Sequence, residues 1–166
     1  MKRIYKIAAA ALAAGLLLLA VGCSKKEPAA EQQIANPVTE QKSLEAANKA
    51  AGTHLVQAEG ATGEQFSTIS GNPVVAQYQF TLDGQEYTFR AAKTTQDISG
   101  VWEEGKTLGD RADALSGSGS VFVMAGEDFH WARWFDGEVQ YSLYTGEMDA
   151  NTFADVELAL HTASMQ

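Results

Sequence analysis

Between Val74 and Arg90 the chain alternates apolar and polar residues on both sides of an Asp83-Gly84 pair. An antiparallel hairpin satisfies that pattern, and few other backbones do. Val74, Ala76, Tyr78, Phe80 and Leu82 alternate with Val75, Gln77, Gln79 and Thr81, the period of two expected of a half-buried strand. Asp-Gly supplies the positive-φ pair of a two-residue type I′ turn. With those residues as the loop, Leu82 faces Gln85, Phe80 faces Tyr87 and Tyr78 faces Phe89. The two aromatic pairs share one face, each contributing roughly 0.2–1 kcal/mol over an alanine pair. Gln77, Gln79 and Thr81 share the other, opposite Arg90, Thr88 and Glu86.

A second hairpin is expected around Asp136-Gly137, with Trp134 opposite Val139, Ala132 opposite Tyr141 and His130 opposite Leu143. Its other face carries Phe129, Trp131, Arg133 and Phe135 with Tyr144, so both faces hold aromatics. Val121–Ala125 is a continuous apolar run and reads as a more central strand, turned into the next by Gly126-Glu127-Asp128. Leu55–Ala58 and Phe66–Ile69 read as short strands. Ser43 can cap a helix reaching Ala51, and Gly52 stops it. Asp149 caps a closing helix, in which Phe153, Val156 and Leu160 share a face and Met148 with Phe153 forms a hydrophobic staple. The pattern is α+β: a mostly antiparallel, meandering sheet with an N-terminal and a C-terminal helix packed on one side.

The first 22 residues read as a processing signal rather than as part of that fold. Lys2, Arg3 and Lys6 precede an apolar run from Ile7 to Val21. As a helix the run would reach about 22 Å, short of the ~30 Å hydrocarbon core of a bilayer. A basic start, a short apolar stretch and small residues after it describe an export signal. Leu19-Ala20-Val21-Gly22-Cys23-Ser24 resembles the lipobox of bacterial lipoproteins, with Ala20 standing where that family prefers Leu. The resemblance implies cleavage after Gly22 and a diacylglyceryl group with palmitate-like chains on Cys23. Two or more acyl chains make such attachment effectively stable. Cys23 is the only cysteine, so no disulfide framework is expected.

Of the 12 Lys and Arg residues three lie in the leader, leaving nine against 21 Asp and Glu, a net charge of −12. Such a surface repels nucleic acid and anionic headgroups, so no nucleic-acid partner is expected. Residues 24–36, with Pro28 and small or charged side chains, read as a flexible tether. The expected organisation is a leader over 1–22, a lipidated Cys23 with its tether over 23–36, and one domain over 37–166. Asn36-Pro37, the Ser43-Leu44-Glu45 helix ending at Gly52, Asp97-Ile98-Ser99-Gly100 and Trp134-Phe135-Asp136-Gly137 are similar to segments of small uncharacterised lipoproteins of clostridia-like Gram-positive bacteria. That resemblance implies a domain on the outer, extracytoplasmic face of the cell membrane, and it transfers no catalytic residue.

Catalytic chemistry finds little support in the residues. Ser116–Ser120 alternates Ser and Gly but lacks the flanking strand and helix of a nucleophile elbow. His54, His130 and His161 have no metal-ligand spacing, so neither a metal site nor a cofactor is expected. His130 reads as a packed histidine. The candidate binding residues are Trp131, Arg133, Phe135 and Tyr144, whose face is a contact surface if nothing covers it. A further layer, or the loop carrying Trp102, is the alternative. The expected function is a non-catalytic binding or interaction module, tethered to the membrane through Cys23, for a small ligand or an envelope protein. An envelope enzyme using Glu86 with Glu103 or Glu104, and a regulatory partner of an envelope sensor, are the alternatives.

Overall fold

The computed structural model describes residues 37–101, 106–112 and 120–166. The leader, Cys23, the tether, Trp102, Glu103, Glu104 and residues 116–119 lie outside the described residues. The elements run β1 (Val38–Gln41), α1 (Leu44–Ala51), β2 (Thr62–Ile69), β3 (Val75–Leu82), β4 (Gln85–Lys93), β5 (Lys106–Ala112), β6 (Ser120–Ala125), β7 (Phe129–Asp136), β8 (Val139–Gly146) and α2 (Ala150–Ser164). The strands make one antiparallel sheet in the order β1-β2-β3-β4-β8-β7-β6-β5. This is two meanders joined edge to edge, β4 against β8, and not one continuous meander. The chain therefore leaves β4 in mid-sheet and re-enters at the far edge, about 19 Å away at ~4.8 Å per strand.

The first hairpin has the predicted register, with Tyr78↔Phe89, Phe80↔Tyr87 and Leu82↔Gln85. Asp83 and Gly84 take φ of 52° and 83°, as the type I′ turn requires. The second hairpin differs. Its loop is Gly137-Glu138, so Asp136 pairs with Val139, Trp134 with Tyr141, Ala132 with Leu143 and His130 with Thr145. Gly137, at φ 55°, is the loop residue that needs the left-handed conformation, and it falls first in the loop. The corrected register brings Trp134 and Tyr141 into a parallel stack at 5.6 Å. It moves each partner by two positions along β8, so the residues on each face are those expected.

Leu55–Ala58 is not a strand. Asn48, on α1, accepts from the Leu55 N–H at 2.7 Å and donates to the Leu55 carbonyl at 2.8 Å. One amide side chain thus satisfies both backbone groups, as a neighbouring strand would, and Leu55 is buried without a ladder. β2 begins at Thr62, with a register shift between Thr62 and Gln65 that lets its polar, glycine-containing start join the sheet. The edge strands β1 and β5 have polar sequences with no apolar alternation to mark them.

One face of the sheet carries Ala76, Tyr78, Phe80, Tyr87, Phe89, Ala91, Ala132, Trp134, Tyr141 and Leu143, all buried and in one cluster with Leu44 and Ala47 of α1 and Phe153 and Leu160 of α2. Ser43 caps α1 by accepting from the Ala46 N–H, and α1 lies against β2 and β3. α2 lies against β7, with the Trp134 indole N–H donating to Ser164 and the His130 ring against Phe153. His161 and Glu157 of α2 are buried beside each other at 3.3 Å.

Asp149 caps α2 by accepting from the Asn151 and Thr152 N–H groups. The Thr152 backbone N–H first, then its hydroxyl, holds the carboxyl below the usual carboxylate range. A depressed folded-state pKa stabilises the fold above the ordinary range, and that contribution is lost as pH falls through the lowered value. Tyr141 behaves oppositely: burial, and then the Asp136 carboxylate, pushes its phenol up to about 12. Its contribution is complete below the ordinary phenol value and is lost as pH rises towards 12. Thermal melts are expected to show Asp149→Ala below the parent at neutral pH, the gap closing in acid. Both proteins are expected to weaken together above pH ~10.

Candidate functional site

The other face of the sheet is built from two cross-strand rows. One runs Met124, Trp131, Tyr144, Thr88, Gln79 and Gln65 from β6 to β2. The next runs Phe122, Arg133, Ser142, Arg90, Gln77, Ser67 and Glu40 from β6 to β1. Towards β6 and β7 the rows hold Met124, Phe122, Trp131 and Arg133; towards β1–β4 they hold amides and hydroxyls, with Arg90 on β4 and Glu40 on β1.

The four sequence-predicted binding residues do share this face, in unequal states. Trp131 is only 6% exposed. Its indole N–H donates to Ser142 at 2.7 Å, its ring meets Phe122 edge-on, and the Arg133 guanidinium lies over both rings. It supports the face from beneath and offers a ligand almost no surface, which removes it as a contact residue. Arg133, Phe135 and Tyr144 are half-buried. Tyr144 stacks on Phe129 at 6.1 Å, which fixes its ring at the boundary between the aromatic and polar halves.

Part of the face is covered. Arg90, in the second row, donates to Gln77 and to the carbonyls of Ile98 and Ser99. It ties the segment after β4 down onto this side of the sheet. Asp97 accepts from the Ser99 N–H and hydroxyl, closing a turn, and Gly100 follows at φ 69°. A Cβ at Gly100 would collide with the Arg90 guanidinium, so the close approach as well as the left-handed backbone requires glycine. Burial lowers the Arg90 pKa from its ordinary value, against the opposing pull of Asp97. Ala92 and Gln140 on this face are fully buried, and the Gln140 amide has no hydrogen-bond partner among the described residues.

The polar half holds a hollow of about 390 Å³ lined by Gly63, Gln65, Gln79, Thr81, Glu86, Thr88, Tyr144 and Gly146. A second hollow of about 390 Å³ runs on from it to β1, lined by Val38, Glu40, Gln41, Lys42, Glu64, Ser67 and again Gln65 and Gln79. The two hollows are adjacent, sharing Gln65 and Gln79, and their linings together draw on β8, β4, β3, β2 and β1; this pair of hollows is the groove. Gln79 accepts from Gln77. The side-chain polar groups of Gln65, Thr88, Glu86 and Tyr144 have no hydrogen-bond partner among the described residues. The amides and hydroxyls were legible as the polar face of the first hairpin. What the sequence hid was the β4–β8 pairing that sets Tyr144 beside them.

A third hollow lies among Ala58, Leu82, Val156 and Leu160. Among the described residues no group of three or more His, Cys, Asp or Glu could hold a metal ion, and no helix is long and apolar enough to cross a membrane. Comparison with protein-family models, with curated proteins and with solved structures finds no match to this chain.

Proposed function

We propose that the chain is a lipid-anchored, extracytoplasmic binding module. Both helices cover one face of its sheet, and the other face, around Tyr144, meets the ligand. The observation that carries this reading is the groove. Side chains from five strands converge on it, a stacked aromatic stands at one end, and unpaired amide, hydroxyl and carboxylate groups line it. Sites that bind without reacting need such convergence, whereas hydrolysis of a glycosidic bond needs two carboxyl groups set ~5–9.5 Å apart across a cleft. The groove's carboxylates are split between its ends, Glu86 in the hollow beside Tyr144 and Glu40 in the one at β1, while Glu64 is turned to the Tyr78 hydroxyl.

The anchor is tested by Cys23→Ser. The wild-type chain is expected to incorporate labelled palmitate and fractionate with membranes, and the variant to do neither and appear in the soluble fraction. Retention of the variant in the membrane would remove lipidation as the anchor. The binding reading is tested by sedimenting the full chain with insoluble envelope polymer. Co-sedimentation without release of soluble fragments is expected. Fragment release that stops in Glu86→Gln would make the chain a hydrolase instead.

A further inference from the structure

We infer that the groove takes a neutral, polyhydroxylated chain, an uncharged oligosaccharide, with Tyr144 as its stacking platform; this rests on the binding-face reading above. Three features select that chemistry. The first is the kind of group available. Gln65 and Gln79 offer planar amides that donate and accept side by side, Thr88 offers a hydroxyl, and Glu86 offers a carboxylate acceptor. Adjacent hydroxyls on a sugar ring both donate and accept, so they can pair with each of these. An apolar ligand would leave Gln65, Thr88 and Glu86 unpaired, at a cost for each one desolvated, while Gln79 keeps its bond from Gln77.

The second feature is charge. Glu40 and Glu86 line the groove against Lys42, while the Glu64 carboxylate accepts from the Tyr78 hydroxyl and from Gln57. A phosphate- or carboxylate-bearing polymer would be repelled there, as it would by the acidic chain as a whole. The third feature is location. The hollow beside Tyr144 lies over β3, β4 and β8, each paired on both sides, and over the start of β2, which β1 joins only from Phe66 onward. The backbone groups of β3, β4 and β8 are spent in the ladder, so a peptide cannot add as an extra strand beside Tyr144. Recognition has to run through side chains, and the half-buried Tyr144 ring, braced by Phe129, presents the apolar face against which a pyranose ring stacks. The groove crosses five strands, about 19 Å at ~4.8 Å per step, which is a length for several sugar units rather than one.

The test is calorimetric titration of the full chain in detergent with three probes: N-acetylglucosamine oligomers, cello-oligosaccharides and tetralysine. Saturable binding of at least one neutral glycan is expected, stronger for longer oligomers. Tyr144→Ala is expected to weaken it roughly tenfold, and Tyr144→Phe to retain most of it because the ring and its Phe129 stack remain. Gln79→Ala provides a second loss of binding that does not depend on the aromatic pair. Thermal melts identify any variant that has not folded, and the folded one of Tyr144→Ala and Gln79→Ala then decides. Binding of tetralysine alone overturns the glycan assignment. Glycan binding indifferent to both substitutions overturns the site. No glycan binding by a chain that still sediments with envelope polymer overturns this inference and leaves the binding-module reading standing.

Discussion

Trp134→Ala is expected to destabilise the fold by about 3–5 kcal/mol, a large part of the ~5–15 kcal/mol that holds a domain of this kind folded. Trp134 is fully buried, and its ring meets Phe89 at 5.5 Å, Tyr141 at 5.6 Å and His161 at 5.2 Å. It therefore joins β4, β8 and α2 through one side chain. Its indole N–H donates to Ser164 at 3.2 Å, which ties the last turn of α2 to the sheet. Truncation opens a cavity under the helix and leaves that turn without its partner. Denaturant unfolding followed by circular dichroism checks the size of the loss. A change below ~1 kcal/mol would mean that α2 does not depend on this contact.

Arg90→Ala is expected to cost less, about 2–4 kcal/mol, and to act locally. The guanidinium bonds to Gln77 and to two carbonyls of the segment after β4, at 2.6 Å from Ser99 and 3.1 Å from Ile98. Ser99 is buried, so losing the donor strands its carbonyl away from water. Lysine cannot restore the arrangement, because one ammonium does not reproduce a fork reaching three acceptors. Limited proteolysis is expected to cut Arg90→Ala between residues 94 and 101 much faster than wild type, and Gly100→Ala to behave alike by pushing on the same guanidinium. Unchanged cleavage in both variants would show that the segment is held by something other than Arg90.

The elements that followed from the sequence are those whose signals are local. The Asp83-Gly84 turn sets its own register, Ser43 and Asp149 find their acceptor geometry within three residues, and alternation assigns faces regardless of pairing. The second hairpin shows where locality ends. Asp136-Gly137 resembles the first turn, yet stacking of Trp134 on Tyr141 accompanies a loop one residue later. The Leu55 segment fails in another way: apolar residues there are buried by an asparagine seven positions away, which no period reveals. Polar edge strands such as β1 have no apolar stripe to read. For the candidate site, Tyr144 was legible as an aromatic on the second face. Its polar neighbours were legible on β3 and β4, but β4 and β8 lie more than 40 residues apart, and their pairing is a property of the whole sheet. Trp131 misled because a strand pattern says which face a side chain takes and not what lies over it; Arg133 does.

The central claim is that the Tyr144 face, and not the helix side, meets the ligand. Hydroxyl-radical footprinting of the full chain, in intact envelopes and after purification in detergent, tests it directly. Tyr144 is expected to be protected in the envelope and reactive once purified, while Leu158, exposed on α2, reacts equally in both. Protection of Leu158 with Tyr144 unchanged would place the binding surface on the helices and contradict the account.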